Sequence, residues 1–418
     1  METTPKSMRL QIGLFGRTNV GKSSLLNYLA GQDIAITSPV PGTTTDVVEK
    51  TMELKPAGPV VFLDTAGIDD ISELSAARLS KTAKAFNRAD VFVLVAEPNV
   101  WTTFEDCICA EAKKRGAGCL VVVTKTDLRE PSAEFIHIGK ERADNVLLCS
   151  CPDAAKQESF AEEFGRVVAA AAQDIVRDLP LVGDLVPPGG LAVLVVPIDL
   201  GAPKGRLILP QVQAIRDALD NDAAVLVVKE REYAAMLGRL KEKPDIVVCD
   251  SQVVQKVVAD TPRGVKCTTF SILFSRAKGD LQAQAAGLEA IDRLGDGDRV
   301  LIAEACTHHA LQDDIGRVKI PRWLRQYTGA DLRITVSSGR DYPADLREYK
   351  LAVHCGSCML TRRETLARLR AAEEAGVPVT NYGLCISFVQ GVVERVLEPF
   401  PAALDGLKRT REKRGVSE

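Results

Sequence analysis

The chain has 418 residues, 46% hydrophobic and 26% charged, which is enough apolar material for two or three globular cores and excludes a disordered chain. Its 53 Lys and Arg against 56 Asp and Glu leave a net charge of −3, so electrostatics make no case for nucleic acid or a membrane surface. The start METTPKSMRLQIGLFG has no export-signal pattern and no apolar run reaches spanning length, so a cytoplasmic chain with mostly reduced cysteines is expected.

Short β-branched runs alternate with helical patterns from LQIGLF near the start to KLAVHC near residue 355. Continuous apolar strands separated by helices predict an α/β fold on mainly parallel sheets covered on both faces. Turn chemistry divides it. The helix ESFAEEFGRVVAAAAQDIVRD gives way to LPLVGDLVPPGG, which suits a linker. Three domains are predicted, over residues 1–178, 187–268 and 269–400, followed by a solvated basic tail over 401–418.

In the first domain, GRTNVGKSS follows LQIGLF and opens a helix. Gly16, Arg17, Thr18, Asn19, Val20, Gly21, Lys22, Ser23 and Ser24 match the phosphate-binding loop G-x-x-x-x-G-K-[ST]. Backbone N–H groups and the helix N-terminus cradle phosphates there, Lys22 reaches the terminal phosphates, and Ser23 ligates Mg²⁺. PGTTTD offers Thr44 as a switch residue closing on Mg²⁺ and the γ-phosphate; DTAG places Asp64 behind the metal and Gly67 where a backbone N–H meets the γ-phosphate. Lys22, Thr44, Asp64 and Gly67 are therefore the expected catalytic set. TKTD supplies Thr124, Lys125 and Asp127, whose carboxylate suits the guanine N1 and N2 donors, and Ser150 and Cys151 would form the loop supporting the base. This combination predicts a P-loop GTPase.

The domain resembles the Era and MnmE type of GTPase, whose PGTTRD and DTAG motifs are nearly repeated. Thr124 stands where the usual guanine motif has Asn, which is expected to loosen the tie between base loop and P-loop. Ile68 follows DTAG where a Ras-like enzyme has its water-orienting glutamine, so intrinsic hydrolysis should be slow. In the MnmE-like families a P-loop asparagine helps hold K⁺. Asn19 occupies the matching position, with an ordinary loop role as the equal alternative.

The middle domain has two cysteines, no histidine and no phosphate loop, which points to an assembly domain. In the last domain RVLIAEA runs into Cys306, Thr307, His308 and His309, and KLAV runs into His354, Cys355 and Cys358. Parallel strand ends on one sheet edge can bring the two loops together. A helix after Cys358, ending at Gly376, is expected to favour its thiolate. A redox pair would leave Cys306 and the histidines idle; a Cys₃His zinc site and a three-cysteine [4Fe–4S] site both use them.

The order Cys306-x-His308, then His354-Cys355-x-x-Cys358, behind such a GTPase domain, resembles the HydF family of [FeFe]-hydrogenase maturation GTPases along essentially the whole chain; SILFSRAKGD also resembles that family. The resemblance implies a [4Fe–4S] cluster on Cys306, Cys355 and Cys358, with His308 and His354 as candidates for a fourth ligand. It implies a homodimer or larger assembly through the middle domain. It further implies a diiron cargo received from two radical-SAM maturases and delivered to apo-[FeFe]-hydrogenase, without nucleic acid or membrane. The competing expectation is an RNA-directed GTPase, for tRNA modification or ribosome assembly, with a zinc-stabilised appendage.

Overall fold

The computed structural model describes residues 5–31, 48–64, 84–172, 179–197, 207–305, 314–339, 342–343 and 345–415. The chain forms two compact units, Met1–Asp178 and Leu179–Glu418.

The first unit holds β1 (Leu10–Phe15), β2 (Val48–Leu54), β3 (Gly58–Asp64), β4 (Val91–Ala96), β5 (Gly118–Val123) and β6 (Asn145–Leu148). They lie in the order β2-β3-β1-β4-β5-β6, antiparallel only between β2 and β3. Every residue of β1, β4 and β5 is buried, as continuous apolar runs require when helices cover both faces. Along β4, Val91, Val93 and Val95 enter one core while Phe92, Leu94 and Ala96 enter the other. The strand β2, reading VEKTMEL, is an edge strand with polar residues among apolar ones. It carries no apolar run.

The second unit holds two four-stranded sheets. One orders β7 (Leu191–Val195), β8 (Ala224–Val228), β9 (Ile246–Cys249) and β10 (Lys266–Thr269) as β10-β9-β7-β8. The other orders β11 (Arg299–Ala303), β12 (Arg333–Ser337), β13 (Leu351–His354) and β14 (Val379–Asn381) as β12-β11-β13-β14. All their pairings are parallel. One hydrophobic core runs through both sheets, from Val182 to Leu407. The helix Phe270–Lys278, N-capped by Thr269 directly after β10, joins them. It packs on the helices Leu209–Asp220, Arg362–Glu374 and Tyr382–Val389.

Two segments differ from their expected character. Within LPLVGDLVPPGG, Val182, Leu185 and Val186 are buried, and Arg276 donates to the carbonyls of Pro180 and Leu181 and pairs with Asp184. This stretch packs as part of the second unit, because its apolar residues recur often enough to reach the core. Residues 401–415 form the helix Pro401–Gly415 with Ala403 and Leu407 buried, so the basic stretch is the second half of an anchored helix.

Close backbone approach governs one junction. A Cβ added at Gly287 would lie 2.0 Å from the Val379 carbonyl oxygen and 2.7 Å from its carbon, in the backbone of β14. Gly287→Ala should therefore push the 3-10 helix Gly287–Arg293 off the sheet and cost about 1–3 kcal/mol. A denaturant titration of the full chain, followed by tryptophan fluorescence, should show an earlier midpoint for the transition that Trp323 of the second unit reports, with that of Trp101 in the first unit unmoved; an unchanged Trp323 transition would refute the contact. Among the described residues no helix is long and apolar enough to cross a membrane.

Candidate functional site

The chain's candidate chemistry falls in two places, one in each unit. In the first, β1, β3, β5 and β6 run in one direction, so Gly16–Ser24, Asp64, Thr124–Asp127 and Ser150–Cys151 all leave the same sheet edge. The expected nucleotide residues are thus brought together, except Thr44 and Gly67, which with Ile68 lie outside the described residues.

Two glycines shape the phosphate loop. Gly16 has φ 154° and a Cβ there would sit 2.5 Å from the Val95 carbonyl oxygen; Gly21 has φ 97° immediately before the helix Lys22–Ala30. Asn19 adopts φ 63°, a left-handed conformation that asparagine tolerates better than most side chains. Lys22 Nζ curls over the loop and donates to the carbonyls of Gly16 at 2.8 Å and Arg17 at 2.7 Å. Arg17 itself is drawn outward by Glu105, at 3.0 Å. Burial holds the Asp64 carboxyl above its ordinary value, opposed by Lys50 and Lys22. A cation bound beside Asp64 would favour the ionised form that burial disfavours.

The guanine motif departs from expectation. Thr124 was expected to loosen the link to the P-loop, yet its hydroxyl donates to the Val20 carbonyl at 2.5 Å and the side chain is fully buried. A β-branched hydroxyl at a strand end therefore makes the tie with a shorter reach than Asn. Lys125, at φ 55°, pairs with Glu97, and Asp127 is exposed at the edge. The Thr126 amide donates to the Cys149 carbonyl at 3.5 Å, which joins the Thr124–Asp127 turn to the loop after β6.

In the second unit β11 and β13 are parallel neighbours with Ala303 opposite His354, so the loops entering Cys306 and Cys355 leave one edge. Cys306, His308 and His309 lie outside the described residues, and among the described residues no group of three or more His, Cys, Asp and Glu is arranged to hold a metal. What is described is a prepared sulfur acceptor. Cys355 Sγ accepts from the Ala305 amide at 3.1 Å and the Ser357 amide at 3.4 Å, and Ser357 adopts φ 53° in that turn. Amide donors aimed at a sulfur favour its thiolate and tune a metal bound to it, so the donor set fits a thiolate-held metal group.

The loop is clamped from outside. Lys278 Nζ donates to the carbonyls of Leu360 at 2.8 Å, Cys358 at 3.1 Å and Ser357 at 3.4 Å. Arg368, from the helix Arg362–Glu374, donates to the Gly339 carbonyl at 2.6 Å and lies over the Tyr342 ring. Arg368 carries no motif, and Lys278 lies in SILFSRAKGD, whose family resemblance does not show what its lysine touches. Lys278 sits far away in sequence at the end of a helix, so only the fold could reveal it.

At Cys358 burial works against the expected thiolate effect. Its thiol is pushed up to about 11, first by burial and then by Cys355, with Lys278 opposing. The helix begins only at Arg362, and the Thr361 and Glu364 amides at its start are taken by a capping box in which these two residues bond reciprocally. Burial likewise raises Cys355 against its two amides and Arg368. His354 is buried and its Nε2 lies 2.9 Å from the Tyr342 hydroxyl, while Nδ1 has no partner among the described residues. Burial and Arg368 push its pKa down to about 3, so the imidazole is neutral near pH 7.

Comparison with known proteins follows this division. Residues 11–125 match the 50S ribosome-binding GTPase family, residues 181–279 the hydrogen maturase F dimerization domain, and residues 282–399 the hydrogen maturase F tetramerization domain. GTPase Der from Wolinella succinogenes is 37% identical over 145 residues, 34% of this chain and 30% of the relative. The tRNA modification GTPase MnmE from a Synechococcus species is 42% identical over 142 residues, 33% of this chain and 29% of the relative. The chain thus spans under a third of the length of these curated relatives. The G domain of the T. maritima FeoB iron transporter is a structural neighbour at TM-score 0.30 and 18% identity, covering 38% of this chain and 99% of that one. The N-terminal unit is a GTPase domain, and the dimerization and tetramerization domains behind it support homo-oligomerisation. With both maturase-specific domains following that GTPase domain in order, the chain belongs to the HydF family of hydrogen maturases.

Proposed function

We propose that this chain is a GTP-binding and GTP-hydrolysing scaffold that holds a [4Fe–4S] cluster on Cys306, Cys355 and Cys358. In this reading it passes a diiron precursor, received from two radical-SAM maturases, to apo-[FeFe]-hydrogenase. The observation that carries it is the Cys355 sulfur, held by the Ala305 and Ser357 amides in a loop clamped by Lys278, in a chain that also bears the P-loop.

When bound, such a cluster supplies one iron without a protein thiolate, and that iron can exchange its ligand. The chain's own residues hold the site. Lys278 fixes the Cys-x-x-C loop through its carbonyls, the amides favour negative sulfur, and His354 packs as a neutral ring on Tyr342. Burial, which favours protonated thiols, makes metal loading a proton-releasing step. In the first unit Ser23 and Thr44 would hold Mg²⁺, and GTP would time partner contacts through the loops carrying Thr44 and Gly67. Asn19 is the residue proposed to face K⁺.

Purification without oxygen, followed by iron, sulfide and zinc analysis and EPR of the reduced protein, tests this reading. A reduced [4Fe–4S] signal with iron and sulfide in cluster proportion is expected. Stoichiometric zinc without iron would overturn it.

A further inference from the structure

Two close thiol pairs lie in the GTPase unit, and they differ in access. Cys109 and Cys119 have sulfurs 3.8 Å apart, and both residues are buried. Cys149 and Cys151 have sulfurs 3.7 Å apart; Cys149 is buried in the core, but Cys151 is partly exposed. The second pair follows β6 directly, where residues two apart in an extended chain project to the same side. Bonding needs their sulfurs to close by about 1.7 Å, to the usual 2.05 Å of a disulfide.

The pair sits among the groups that recognise the base. The Cys149 amide donates to the Val123 carbonyl at 2.8 Å, its carbonyl accepts from Thr126 at 3.5 Å, and Ser150 closes a turn by accepting from the Asp153 amide at 3.0 Å. Asp127 is near enough to act electrostatically on both thiols. Any torsional change at residues 149–151 is therefore felt at the turn that carries Asp127.

We propose that Cys149 and Cys151 form an oxidative modification site, converted by hydrogen peroxide to a disulfide within the loop that weakens guanine nucleotide binding. The consequence rests on the nucleotide-binding reading of this loop. Cys151, the accessible member, is also the thiol held below its ordinary pKa, by the hydrogen bond it shares with Cys149. Its thiolate attacks one peroxide oxygen: the S–O bond forms, the O–O bond breaks, and the departing hydroxide takes up a proton to become water. The Cys149 sulfur then attacks the Cys151 sulfenic acid. The S–S bond forms, the S–O bond breaks, and a second water leaves with the Cys149 proton. Two thiols lose two electrons to one peroxide. The buried Cys109 and Cys119 pair lacks the exposed sulfur that the first step needs.

The test uses the full chain, prepared anaerobically in reduced form and then treated with limited hydrogen peroxide. Peptide mapping should find residues 149 and 151 joined and Cys109 and Cys119 still as thiols. GDP affinity, read with a fluorescent GDP analogue, should fall about tenfold and return on treatment with a dithiol, a change of about 1.4 kcal/mol. Cys149→Ala, or Cys149→Ser if the alanine variant folds poorly, should keep its GDP affinity in peroxide and carry a sulfenic acid at Cys151 that dimedone traps. Absence of the disulfide in the unchanged chain overturns the proposal, as does a disulfide that leaves GDP affinity unaltered. Failure of the reduced chain to bind GDP overturns instead the nucleotide reading from which the consequence follows.

Discussion

Replacing Cys355 by alanine is expected to abolish iron–sulfur reconstitution while GTP hydrolysis stays within about twofold of the unchanged chain, the variation usual between independent sites. The Cys355 sulfur is where two amides converge, from Ala305 at 3.1 Å and Ser357 at 3.4 Å. Alanine removes the acceptor and leaves two thiols for a group that needs at least three protein ligands. The fold should survive, because Cys355 is only partly buried and its own amide keeps its bond to the Ala303 carbonyl at 3.0 Å. The P-loop belongs to the other compact unit, with its own two cores. Iron content and the EPR signal of the reduced protein should disappear, with GTP turnover read on the same sample. Joint loss of both would mean that the units do not work independently. A retained cluster would mean that another ligand replaces Cys355.

How much of this was legible beforehand depends on the kind of signal. Strands buried on both faces announce themselves as apolar runs, and β1, β4, β5, β7 and β11 lie where such runs stand. The edge strand β2 does not, because VEKTMEL keeps polar side chains on its solvated positions; β14 is too short to register, at three residues. The P-loop could be read directly, since its glycines answer a local backbone demand. Thr124 could be misread because its tie to Val20 spans 104 residues of sequence. Lys278 is farther from recognition still: its role consists of bonds to three carbonyls about 80 residues away, and carbonyls leave no trace in composition. At Cys358 the expected thiolate effect meets an opposing burial of the same hidden kind. The helix N-terminus and its T-x-x-E capping pair, Thr361 and Glu364, can be located in sequence, but the burial of the Cys358 sulfur cannot.

Asp127→Asn is expected to lower GTP affinity by about 10³-fold, a change of about 4 kcal/mol, and to favour xanthosine triphosphate instead. An ionised carboxylate only accepts hydrogen bonds, and guanine presents two donors side by side, at N1 and N2; each charge-assisted bond is worth about 1.5–3 kcal/mol. An asparagine amide offers one acceptor and sets its N–H₂ group against a guanine donor, which leaves both without a partner. Xanthine carries an oxygen at the same carbon, and that oxygen accepts from the new amide. Stability should change by less than about 0.5 kcal/mol, since Asp127 is exposed while the buried Thr124 hydroxyl still holds the loop to Val20. Competition of GTP, XTP and ATP against a fluorescent guanine nucleotide on the unchanged chain, and against a fluorescent xanthine nucleotide on the variant, reads the exchange of preference. Equal weakening towards GTP and XTP would mean that Asp127 supports the loop rather than reads the base. An unchanged GTP affinity would place the base elsewhere on the sheet edge.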